Sequence, residues 1–217
     1  MNYFNFANQL GGMKYLYAIV FILSFVCVSN AQFGIGITAN NDIYQRYNNP
    51  EDGIAGTSAG SFLFNVGVGP KIWIGGNNVS LSLETTANWG VFGLDINDYK
   101  GLGVVSFPML AHINFGGLTA LDKEGKFGFT IGGGIQYNKT EVYYLNGGDK
   151  ENGVSRDFFR TYVGEIGYGF GMSGFTLHGF LRLGYDPDTS ANSFNFGIRY
   201  DFNIPKLKQI SDPESDL

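Results

Sequence analysis

Cysteine is almost missing from this chain: one residue, Cys27, among 217. It falls in a segment expected to be removed on export, so the mature chain has no disulfide and no thiolate chemistry. Charge is scarce too, at 15% of residues, where typical soluble domains carry about 25%. There is no basic excess: the formal net charge is −5. The clustered positive footprint of a nucleic-acid binder is therefore lacking, and no nucleic-acid partner is expected. No apolar run reaches the about 20 residues of a membrane-spanning helix; the run from Tyr15 to Val28 has 14. No repeat of solenoid length is visible. What is abundant is Gly, at 33, and aromatic residues, at 16%, in a chain of a length suited to one domain.

The amino terminus reads as an export signal over 13–31. Met13 and Lys14 begin a short positive region, Tyr15 to Val28 is the apolar core, and Ser29-Asn30-Ala31 supplies the small residues of a cleavage site before Gln32. Residues 1–12 carry no charge and read as an upstream extension, with Met13 as the alternative start.

From Phe33 onward, runs with two-residue alternation recur, the signature of strands with one apolar face. The last is the clearest: Phe194, Phe196, Ile198, Tyr200 and Phe202 alternate with Ser193, Asn195, Gly197, Arg199 and Asp201. Seven similar runs precede it: Phe33–Asn40, Phe62–Ile74, Val79–Gly90, Val105–Phe115, Phe127–Asn138, Thr161–Phe170 and Phe175–Tyr185. Between them lie polar loops at Asn41–Ser61, Asp95–Gly101 and Lys139–Asp157, and tight turns at Gly75–Asn78 and Gly171–Gly174, where Gly and Asn tolerate positive φ. The turn Gly116–Lys126 is longer than an ideal periplasmic turn. Eight strands with these connections predict an antiparallel up-and-down barrel over 32–202, followed by a disordered tail over 203–217.

Alternation does not say which face is outside; volume and charge do. An eight-stranded lumen is only wide enough to be filled by side chains, and the apolar face is bulky at most positions. The other face is rich in Gly, including Gly34, Gly36, Gly67, Gly69, Gly132 and Gly134, and carries Lys71, Glu84, Glu165, Arg182, Arg199 and Asp201. The small, charged face goes inside and the bulky face meets lipid. Alternating short and long connections fit short periplasmic turns and long outer loops.

The run Ser106–Phe115 (S-F-P-M-L-A-H-I-N-F) resembles the fourth strand of the small outer-membrane β-barrel proteins of the Bacteroidota "porin family", OmpA/OmpX-like barrels. The signal ending Ser29-Asn30-Ala31-Gln32 is similar as well. The resemblance implies an eight-stranded barrel in the outer membrane and contributes no catalytic position. Such barrels usually end at the terminal aromatic residue, whereas here 15 residues follow Phe202.

Candidate chemistry is sparse. Gly56-Thr57-Ser58-Ala59-Gly60 matches G-x-S-x-G, but that motif works on a strand-to-helix elbow, and here a loop precedes it and a strand follows. His112 and His178 fall on the lumen face near periplasmic turns and read as structural; without carboxylates in phase they make a poor metal site. Asp186, Asp188 and Asn192 lack the bidentate Glu of a calcium loop.

The lumen charges are the expected site. The two tight turns set Lys71 diagonally from Glu84, and Glu165 near Arg182 and His178. Because buried charges must be paired, Lys71, Glu84, Glu165, His178, Arg182 and Arg199 are expected to form a network filling the lumen. A pore lined by these charges is the rival reading. The expected function is that of a non-enzymatic outer-membrane barrel acting through its outer loops. It would need no cofactor or metal, its partners being outer-membrane lipid, the barrel-assembly machinery and an unidentified extracellular ligand. A soluble lipocalin-like barrel and a loop-located lipid hydrolase are the further alternatives.

Overall fold

The computed structural model describes residues 32–50, 56–59, 65–90, 102–121, 125–143 and 157–204. The extension, the export signal with Ala31, and the tail beyond 204 lie outside the described residues. Ten strand segments follow in order: β1 (Gln32–Asn49), β2 (Gly56–Ala59), β3 (Asn65–Gly75), β4 (Val79–Thr85), β5 (Ala87–Gly90), β6 (Leu102–Gly116), β7 (Lys126–Tyr143), β8 (Phe159–Met172), β9 (Phe175–Tyr185) and β10 (Asn192–Asn203). All pairings are antiparallel. β4 and β5 share one position between β3 and β6, and β2 pairs with the upper end of β1 on its β3 side. The ring therefore has eight positions, and it closes because β1 pairs with both β3 and β10. Closure leaves no long unpaired edge.

Burial is inverted relative to a soluble barrel. Phe33, Phe127 and Tyr168 are 67%, 66% and 64% exposed, whereas Arg182 is 0% and Glu165 2%. Apolar side chains wrap the barrel and polar ones fill it, the arrangement a lipid surround requires. The interior of a lipocalin-like barrel would be the reverse, so that alternative does not fit.

Several strand boundaries differ from the sequence reading, two of them for a clear physical reason. β1 does not stop at Asn40; it runs to Asn49. A bulge between Asp42 and Tyr44 inserts Ile43 and exchanges the faces, so Asp42 points inward and so do Gln45 and Tyr47 beyond it. A one-residue shift of parity ends the alternation without ending the strand. The expected single third strand is interrupted at Thr86, flanked by Pro70 on β3 and Pro108 on β6, neither of which has an N–H for the ladder. Thr86 N still donates to Pro108 O at 3.2 Å. β7 continues through the expected loop start to Tyr143, and β10 takes in Asn203 from the expected tail.

The long β6–β7 turn has a packing role. Gly116 adopts φ 61° to leave the strand, and Leu118, Ala120 and Leu121 then fold into the barrel's lower mouth. Trp73 lies against Ala120 and Leu121 there. Gly34 is required opposite, because any Cβ would overlap the Trp73 indole. Thr119 Oγ1 donates to Asn77 O at 2.7 Å, which ties this stopper to the β3–β4 turn.

Candidate functional site

Antiparallel register with inward parity brings the lumen charges to one level. Glu84 on β4 stands directly opposite Lys71 on β3, and Arg182 on β9 directly opposite Glu165 on β8, rather than diagonally. The bonds then cross the lumen. Lys71 Nζ reaches not Glu84 but Asp201 Oδ2 on β10, at 2.7 Å. Glu84 Oε1 is held by Arg199 Nη1 at 2.6 Å. Glu165 accepts from Arg182 Nε at 2.7 Å and from Arg199 Nη1 and Nη2 at 2.6 and 3.0 Å. Such pairing is what permits full burial, since an isolated buried charge is prohibitively costly.

Two residues outside the expected set belong to this lattice. Asp201 closes the Lys71 pair, and His112 lies between two carboxylates, Nδ1 3.5 Å from Glu84 and Nε2 3.1 Å from Glu165. His178, which was expected beside Glu165, is buried, and neither ring nitrogen has a hydrogen-bond partner. The guanidinium centres of Arg182 and Arg199 both lie over the Phe180 ring, 5.1 and 5.0 Å from its centroid. That placement adds cation–π attraction.

Glu84, His112 and Glu165 present ligand atoms within 4.8 Å of one another. The carboxylates that the sequence reading missed beside His112 are thus in place. However, Arg199 Nη1 lies 2.6 Å from an oxygen of each glutamate, so the cation between them is the guanidinium.

Above the lattice the lumen is lined by amides. Gln136 Oε1 accepts from Arg182 Nη1 at 2.9 Å, Gln136 Nε2 donates to Asn138 Oδ1 at 2.6 Å, and Asn195 Nδ2 donates to Tyr47 OH at 2.8 Å. Tyr47, Val104, Phe159 and Ala191 form a buried apolar cluster over this layer, with the Tyr47 and Phe159 rings edge-on at 6.4 Å. Tyr47 was assigned to a polar loop from sequence; the bulge in β1 is what turns it inward. The described residues thus place buried apolar clusters toward both ends of the lumen and ion pairs in the middle.

The remaining motifs fall outside this arrangement. The backbone of Ser58 is in β2, opposite Tyr47, so the segment is a strand and not an elbow entering a helix. Asp186 and Asp188 both accept from Arg160 Nη2, at 3.4 and 3.3 Å, and Asp188 N donates to Asp186 Oδ1 at 3.0 Å. A guanidinium again stands where a metal would.

No family model matches the chain, and no curated protein matches it. Among solved structures it is similar to the N-terminal β-barrel domain of OprF from Pseudomonas aeruginosa, with 14% identity and a TM-score of 0.44 over 80% of this chain and 100% of that one. It is similar to Neisserial surface protein A, with 11% identity and a TM-score of 0.44 over 80% and 99%. The outer membrane protein OprG of Pseudomonas aeruginosa is similar at 13% identity and a TM-score of 0.41, over 78% and 95%.

Proposed function

We propose that the chain is a non-enzymatic outer-membrane barrel of the Bacteroidota porin-family type, exported by its amino-terminal signal. The barrel is a sealed scaffold that presents the long connections on one side of the membrane for surface interaction. The observation that carries this reading is the filled lumen: an ion lattice at its centre with apolar lids at both mouths. A lumen so filled leaves surface chemistry to the connections over 91–101 and 144–156 and to the segment between β1 and β3. Short turns and both ends of the barrel share the other side, as periplasmic turns do. Outer-membrane lipid would cover the apolar wall, and insertion would be the task of the barrel-assembly machinery.

The channel reading draws on the same charges, since a lumen lined by ion pairs is polar throughout. Conduction would require both lids and the Arg199 bridge to move together.

The test is protease added to intact cells expressing the chain. Cleavage confined to 50–64, 91–101 and 144–156, with the barrel retained in the outer membrane, is expected. Cleavage in the Gly75–Asn78 or Gly171–Gly174 turns would reverse the orientation and overturn the reading.

A further inference from the structure

A second polar cluster lies above the lattice, on the β1–β3–β5 wall. Asp42 is buried there and forms no ion pair among the described residues. The cations facing it from β9 and β10, Arg182 and Arg199, are held by Glu165 and Glu84. Lys71, lower on β3, is held by Asp201. The Asp42 carboxylate is instead coated by amide N–H groups: Asn40 Nδ2 at 2.8 Å, Asn65 Nδ2 at 3.2 Å and Asn195 Nδ2 at 2.7 Å.

A carboxylate accepts only from the nitrogen end of an amide, so these bonds fix the orientation of Asn40 and Asn65. Their Oδ1 atoms are turned away and have no partner among the described residues. Asn88 Nδ2 donates to Ser106 Oγ at 3.3 Å, and its Oδ1 has no partner either, nor does Thr38 Oγ1. All four residues are buried. Register gathers them: Asn40 and Asn88 are the two cross-strand neighbours of Gly67, while Thr38 and Asn65 stand one pleat away. A Cβ on Gly67 would overlap both Asn40 Oδ1 and Asn88 Oδ1, so the two oxygens converge over the bare glycine. Against these acceptors, the described residues of this part of the wall offer two unpartnered donors, Gln45 Nε2 and the Thr38 hydroxyl.

Buried polar atoms are almost always satisfied, and carbonyl oxygens that converge on one point call for a positive occupant. We propose that a monovalent metal cation of the Na⁺ or K⁺ class binds over Gly67, ligated by Oδ1 of Asn40 and Asn88, with Thr38 and Asn65 one pleat away on either side. Neutral carbonyl oxygens replace the hydration shell of such ions. Ca²⁺ and Mg²⁺ are bound through carboxylates, and both Asp42 oxygens are already taken by amides.

The test uses the mature chain, Gln32 to Leu217, refolded in detergent. Crystals grown with a thallium(I) salt are expected to give an anomalous peak over Gly67. The thermal unfolding midpoint, read as the heat-modifiable gel shift, is expected to rise saturably in NaCl or KCl relative to N-methylglucamine chloride at equal ionic strength. Asn88→Ala should abolish both effects while keeping the Asp42 shell. If that variant does not refold, the wild-type comparison decides alone. Light-atom density without a peak identifies water and overturns the proposal, as does a cation-dependent midpoint with no peak at Gly67. A peak without any change in midpoint means binding at crystal concentration only, and overturns it too.

Discussion

Arg199 holds Glu165 at both carboxylate oxygens, with Nη1 2.6 Å from Oε1 and Nη2 3.0 Å from Oε2. The same Nη1 lies 2.6 Å from Glu84 Oε1, so one side chain from β10 ties β4 to β8 across the lumen. Strands that never touch in the sheet are thereby locked to one another.

Removing Glu165 should therefore cost far more than one hydrogen bond. Glu165→Gln leaves Arg182 and half of the Arg199 fork facing a neutral amide inside a buried site. Breaking a buried pair from one side typically costs about 3–5 kcal/mol. That loss is expected in urea unfolding of the refolded barrel, with part of it restored when Arg182→Met removes the stranded charge. A loss no larger than that of a surface substitution would show that the lattice is hydrated and loosely held.

The outer wall gives a depth-dependent prediction. Ile131 lies on the apolar face of β7, sixth of its 18 residues and above the aromatic residues Phe127 and Phe129, and Phe33 is the second residue of β1, near the lower rim. Ile131→Arg is expected to destabilise the barrel in liposomes by about 2–4 kcal/mol, and Phe33→Arg by about 0–1 kcal/mol. Equal effects at the two positions would contradict the placement of the bilayer on this wall.

The two tryptophans report the two faces. Trp89 is 49% exposed on the outer wall, whereas Trp73 is buried in the lumen. Brominated acyl chains should quench the fluorescence of a Trp73→Phe variant, which retains Trp89, and leave that of Trp89→Phe nearly unchanged. The opposite pattern would mean that the faces are reversed.

The lower stopper is testable with the same probe. Leu121 packs with Ala120 against Trp73, so Leu121→Asp should expel the turn from the mouth. In a Trp89→Phe background, acrylamide quenching of Trp73 is expected to rise several-fold. No change would indicate that Trp73 is covered without the turn.

The strands and the choice of inner face were legible because alternation, glycine and charge all point the same way. The lattice was legible only in part. Hairpin logic finds neighbours along the sheet, such as Arg182 beside Glu165, but Lys71 and Asp201 meet across the lumen from strands that β1 separates. Side chains that bridge a narrow lumen leave no mark on spacing, and His112 was missed for the same reason. The continuation of β1 was hidden by a single inserted residue, Ile43, which reversed the pattern while the backbone stayed extended. Nor does a turn's length reveal that Leu118 and Leu121 fold back into the mouth.

The most direct test of the sealed barrel is single-channel recording of the refolded chain from Gln32 to Leu217 in planar bilayers. A folded, heat-modifiable and inserted barrel that passes no current is the predicted result, with openings emerging only when Leu121→Asp and Glu165→Gln are combined with Tyr47→Ala in the upper lid. Reproducible openings in the unsubstituted chain would contradict it and establish the lumen as a channel.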